Sequence, residues 1–124
     1  MTAPTRRTML AALAAATVAP WHAFAQNYPE RTITLVVPFA PGGSTDILAR
    51  IVAEHLRQSL GQTVVVENRS GASGNLGTAT VARAAPDGYT FLFNTMSVHT
   101  MNHALMASMP FDGVKDFSPI VLLA

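Results

Sequence analysis

Val36-Val37-Pro38-Phe39-Ala40-Pro41-Gly42-Gly43-Ser44-Thr45-Asp46 reads as a strand end, a tight turn and a helix start. The β-branched apolar run 33–37 is stopped by Pro38, which suits a short buried strand better than a helix interior. Two prolines stiffen the exit. Gly42 and Gly43 permit backbone conformations closed to other residues, and Ser44, Thr45 and Asp46 are of the types that open helices. Beyond them Ile47, Leu48, Ile51, Val52 and Leu56 predict one apolar helix face, with Arg50, Glu54 and Arg57 polar and Gly61 as the stop. A strand, a glycine turn and a helix N-terminus can form an anion site, because free N–H groups and the positive end of the helix dipole point into the crevice at the strand's carboxyl end. The same composition also makes an ordinary connecting turn, and local sequence leaves both readings open.

The chain divides into an address and a body. Arg6-Arg7 precede an alanine-rich apolar run over 9–19, and Ala23-Phe24-Ala25 has the small-x-small pattern of a signal-peptidase site. Residues 1–25 therefore read as a signal peptide cleaved after Ala25, which predicts a periplasmic product. The setting of Arg6-Arg7 also suits twin-arginine export. Without Arg6 and Arg7 six basic residues face seven acidic ones, net −1. That balance offers no basic patch for nucleic acid. The absence of cysteine excludes disulfides, thiolate zinc sites and cysteine nucleophiles. Hydrophobic residues at 49% against 12% charged describe a packed core and not a disordered tail.

Along the body, residues 63–66 predict a second β-branched strand ending at Glu67-Asn68, and the long helix between the two strands implies a parallel βαβ pair. A glycine-rich loop, Arg69-Ser70-Gly71-Ala72-Ser73-Gly74-Asn75-Leu76-Gly77, opens a second helix whose small residues allow close approach to a neighbour. Pro86-Asp87-Gly88 ends that helix, 89–93 is a third strand, and a shorter helix is expected over about 99–107. A last strand is expected from Ile120. The class is α/β with a mostly parallel sheet and flanking helices. Segments 38–46, 68–75 and 94–99 would then line one crevice at the strands' carboxyl ends, rich in hydrogen-bonding groups without fixed charge. The apolar run 120–124 leads to the expectation that 26–124 is a partial lobe, truncated at its C-terminal end.

Catalytic and metal motifs fail on spacing. Gly71-Ala72-Ser73-Gly74 suggests a nucleophile elbow, but Gly-x-Ser-x-Gly needs glycine where Asn75 stands. A hydrolase using Ser73 would have only His99 as a candidate base. Glycines 71, 74 and 77 do not make the dinucleotide fingerprint, and there is no Gly-Lys-Ser/Thr phosphate loop. His99 and His103 have the i, i+4 spacing of a zinc helix, yet Thr100 stands where glutamate should follow. No cofactor or metal is expected. Met96, Met101, Met106 and Met109 suggest packing around a short helix, and His99 is placed where it can face the crevice.

Five ordered blocks across 28–124 resemble the Bug family, the substrate-binding proteins of tripartite tricarboxylate transporters. These are the first loop 38–46; Val65-Val66-Glu67-Asn68-Arg69-Ser70-Gly71-Ala72-Ser73-Gly74-Asn75-Leu76-Gly77; Pro86-Asp87-Gly88-Tyr89-Thr90; Ser97-Val98-His99-Thr100-Met101-Asn102; and Pro110-Phe111-Asp112 with Lys115-Asp116-Phe117. The resemblance implies a non-enzymatic extracytoplasmic receptor, monomeric when full length, whose two α/β lobes close over a small carboxylated solute and deliver it to the transporter's membrane components. This chain would supply the N-terminal part of the first lobe, with the second lobe absent. The resemblance places ligand contacts at Phe39, Gly42, Gly43, Ser44 and Asp46, then at Ser73 and Asn75, then at Thr95, Ser97 and His99. Ser70 and His103 stand where the family usually has proline, and Ser73 where it has glycine. A non-functional truncated product is the remaining alternative.

Overall fold

The computed structural model describes residues 28–123. The predicted signal segment and its cleavage point lie outside the described residues. Strand β1, Ile33–Val37, is the centre of a three-stranded parallel sheet of order β2-β1-β3, with β2 at Val64–Asn68 and β3 at Thr90–Leu92. Leu35 lies opposite Val66 on one side and Phe91 on the other. A central parallel strand covered on both faces needs apolar residues at consecutive positions, and Ile33, Leu35, Val36 and Val37 are all buried. Successive side chains point to opposite faces. Leu35 and Val37 accordingly pack with Ala49 and Ala53 of helix α1, Ser44–Leu60.

Helix α1 connects β1 to β2 and ends as expected: Gly61 takes φ +66 and its N–H reaches the Arg57 carbonyl at 3.0 Å. Its predicted apolar face requires correction. Ile47, Leu48 and Ile51 are about half exposed (53, 48 and 51%), while Asp46, Ala49 and Ala53 are buried and Val52 and Leu56 half-buried. Small side chains let the helix axis approach the sheet, so the buried stripe is built on alanines.

From β2 a short 3-10 turn, Ala72–Gly74, leads into helix α2, Asn75–Ala82. The close approach expected of its small residues is realised at Gly77. A Cβ there would lie 2.6 Å from the Arg69 carbonyl oxygen and 2.9 Å from Pro38 Cα, so glycine is a steric requirement. Helix α3 runs Met96–Leu105, starting three residues before the expected His99. Its buried Val98 clusters with Ala79 and Phe111. Met109 packs against this cluster, whereas Met96 and Met101 are mostly exposed, contrary to the packing expected of them.

The last strand expected from Ile120 does not form among the described residues. Ile120, Val121, Leu122 and Leu123 are exposed and in irregular backbone. A β-branched run becomes a strand only where a neighbour supplies ladder hydrogen bonds.

Candidate functional site

The strand order 2-1-3 makes β1 the point where the chain reverses direction across the sheet. Beside such a reversal the connections diverge and leave a crevice at the carboxyl ends. Three helices begin there. Gly43 is the N-cap of α1, Gly74 of α2 and Thr95 of α3, and among the described residues none of these three caps makes a side-chain cap hydrogen bond. First-turn N–H groups have no acceptor further along their own helix, so each end carries a partial positive charge, although at α2 the Asn75 and Leu76 N–H groups bond the Ala72 and Gly71 carbonyls of the preceding turn and at α3 the Val98 N–H bonds the Thr95 carbonyl. The three segments also touch. A Cβ on Gly74 would lie 3.1 Å from Val98 of α3 and 3.6 Å from the Phe39 ring, so this glycine is the junction of all three loops.

The first loop is braced from beneath. Gly42 takes φ +86, whereas Gly43 is extended at φ −77, ψ 169, so the conformational demand for glycine falls on Gly42. The buried Asp46 carboxylate accepts from the Gly42 N–H at 2.9 Å and Arg50 Nε at 3.0 Å through Oδ2, and from Asn68 Nδ2 at 2.9 Å through Oδ1. The Arg50 hydrogen bond, then those of Gly42 and Asn68, hold its carboxyl well below the usual range, at about 2. Asp46 is thus an anion turned inward, and Phe39, Gly42, Gly43 and Ser44 form the loop it supports.

The second loop is built differently. Ala72 and Ser73 both occupy the left-handed region, at φ 47 and 55, where residues with a Cβ are uncommon. Ser73 is exposed and its carbonyl accepts from Asn102 Nδ2 at 3.0 Å. Asn75 is only 2% exposed. Its Nδ2 contacts the sulfurs of Met106 and Met109, and its Oδ1 accepts from Asn102 at 2.8 Å. Of the two predicted residues here, Ser73 lies at the surface and Asn75 braces α2 against α3.

In the third segment Thr95 and Ser97 are exposed, their hydroxyls 2.8 Å apart. His99 packs edge-on against Phe111 and Phe117, with ring centroids 6.4 and 5.1 Å away. Burial lowers its pKa, and neighbouring His103 adds to the effect. The His103 Nε2 accepts from the Gly113 N–H at 3.1 Å. The fold therefore gathers the first loop, the Gly74 junction and the start of α3, while His99 contacts the 111–117 segment. Sequence reasoning placed Asn68 in a crevice segment and Arg50 on the polar face of α1 but missed that both hold Asp46. A groove between α1 and β2, lined by Arg50, Ala53, Glu54, Val64 and Val66, shares only Arg50 with this site.

MatC from Rhodopseudomonas palustris, solved with bound malate, superposes with a TM-score of 0.71 at 42% identity, covering 74% of this chain and 31% of that one. An R. palustris protein solved with adipate gives 0.67 at 45% identity over 69% of this chain and 29% of its own. The fold is that of part of the first lobe of a periplasmic binding protein. A family model described as tripartite tricarboxylate transporter family receptor matches residues 48–124. BugT of Bordetella pertussis is 46% identical over 100 residues, 80% of this chain and 31% of its own length. The chain belongs to this receptor family, the Bug proteins, and spans about a third of the length of the curated relatives it matches.

Proposed function

We propose that this chain forms part of the ligand-binding lobe of an exported, periplasmic solute-binding protein. It captures a small carboxylate for a tripartite transporter and catalyses no reaction on it. The observation that carries this proposal is the convergence, at the carboxyl ends of the strands, of three helix N-termini joined at Phe39, Gly74 and Val98. Phe39, Gly42, Gly43 and Ser44 offer the ligand backbone donors and an aromatic wall. Asp46 holds that loop, and Ser73, Thr95 and Ser97 add exposed hydroxyls. That relatives have been solved with malate and with adipate supports a small carboxylate as the ligand class. The sequence pattern of a signal peptide over 1–25 supports export.

Calorimetric titration of the purified chain with di- and tricarboxylates, run beside an ester-hydrolysis assay, tests the proposal. Saturable carboxylate binding without turnover is expected. Ester turnover that disappears in Ser73→Ala, without carboxylate binding, would overturn it in favour of a hydrolase. N-terminal sequencing of the exported product should begin at Gln26.

A further inference from the structure

We propose that Asn68, which makes no contact assigned to a ligand, is the positioning residue of the carboxylate site, locking the first loop into its binding conformation. This rests on the carboxylate-binding reading above. Asn68 is the last residue of β2, and its amide spans three elements. Nδ2 donates to the Phe39 carbonyl at 3.1 Å and to Asp46 Oδ1 at 2.9 Å, and Oδ1 accepts from Arg50 Nη2 at 3.2 Å. One side chain therefore fixes the exit of β1, the first turn of α1 and the guanidinium that also holds Asp46. The loop between those two anchors is 40–45, the stretch containing Gly42, Gly43 and Ser44.

The chemistry of the amide matters. Asp46 is an anion requiring a donor, the Phe39 carbonyl requires a donor, and the Arg50 guanidinium requires an acceptor. A primary amide meets all three demands without adding charge, whereas a carboxylate would face Asp46 as a like charge. The nearby charged groups are Asp46 and Arg50 on α1, with Glu67 and Arg69 flanking Asn68 and paired to each other at 2.7 Å. Loss of the amide frees the turn to sample conformations in which its N–H groups diverge, so affinity falls although no ligand contact has been removed.

The experiment compares wild type, Asn68→Ala and the isosteric Asn68→Asp by malate titration across about pH 4 to 8. Hydrogen exchange at the Gly42 amide and thermal unfolding are followed in parallel. Asn68→Ala should weaken malate binding about ten- to a hundredfold and accelerate exchange at Gly42. Asn68→Asp should be weakest at neutral pH and partly recover relative to wild type as the pH falls. The introduced carboxyl then takes up a proton and donates to Asp46 as the amide did. Expressing affinity as a ratio to wild type at each pH removes the ligand's own titration, and a purely structural role would leave that ratio flat. Wild-type affinity in Asn68→Ala, or a flat ratio for a folded Asn68→Asp, would overturn the positioning role while leaving carboxylate binding standing. Absence of malate, citrate and adipate binding by wild type would overturn the carboxylate reading itself, and this role with it.

Discussion

The first and second loops of the crevice solve one problem by opposite means. Both leave the end of a parallel strand and turn into a helix N-terminus. The first puts glycine at the residue with positive φ, Gly42, and braces the turn with the hydrogen bonds of Asp46, Arg50 and Asn68. The second places Ala72 and Ser73 in the left-handed region and is tied down by the Asn102 amide and by the contact of Gly77 with Pro38. A loop whose strain is avoided can be rigid on local hydrogen bonds. A loop that carries strain depends on packing from elsewhere.

The sharpest way to break this contrast is a charge on the braced loop. Gly43 has no backbone conformation that excludes a side chain, and a Cβ there meets nothing closer than the Ala40 carbonyl oxygen at 3.7 Å. Gly43→Asp should therefore fold normally yet lose carboxylate binding. Charge-assisted hydrogen bonds contribute about 1.5–3 kcal/mol each, so losing one or two weakens affinity roughly ten- to several-hundredfold before like-charge repulsion is added. Gly43→Asn should bind measurably better than Gly43→Asp by calorimetry. Equal binding by Gly43→Asp and wild type would move the ligand to another part of the crevice.

Next in size is the packing that supports the second loop. Gly77→Ala forces a methyl against two backbone atoms closer than 3 Å. Overpacking of this kind costs about 1–3 kcal/mol. Urea unfolding should show that loss, and an unchanged midpoint would mean that α2 can shift without cost.

A paired substitution tests the glycine asymmetry directly. Gly42→Ala should destabilise by about 1–2 kcal/mol, because φ +86 crowds a Cβ. Ser73→Gly should stabilise by up to about 1 kcal/mol, since relief of left-handed strain exceeds the entropy returned to the unfolded chain. Opposite signs in one denaturation series are the expected result. Like signs would remove the distinction between the loops.

The last effect is in acid. Asp46 has its carboxyl lowered from 3.8 to about 2. A depressed native pKa contributes stability that is present above 3.8 and declines as the pH falls from there through about 2. Glu54, lowered from 4.5 to about 2 by Arg57 and then Gln58, loses its contribution over an overlapping range. Asp46→Asn should therefore flatten only part of the acid limb of a stability-against-pH curve, and a limb as steep as in wild type would detach Asp46 from the bracing role.

Properties held within a few consecutive residues were legible from the chain itself. The β1 run stopped by Pro38, the helix opening at Ser44, the αL stop at Gly61 and the three polar strand ends follow from propensity, capping and turn chemistry, and each of these acts over about one turn or one strand. The family blocks added the expectation of a carboxylated ligand. Tertiary structure alone decided which face of α1 is buried, because the period marks a stripe, and the fit against the sheet chose Ala49 and Ala53 over Ile47 and Ile51. It also turned Asn75 inward, set His99 against Phe111 and Phe117, and left Ile120–Leu123 without a strand partner among the described residues. The partnership of Asp46 and Asn68 spans 22 positions. Only parallel pairing of β1 with β2 brings those side chains together, and spacing along the chain carries no trace of a contact made across a sheet.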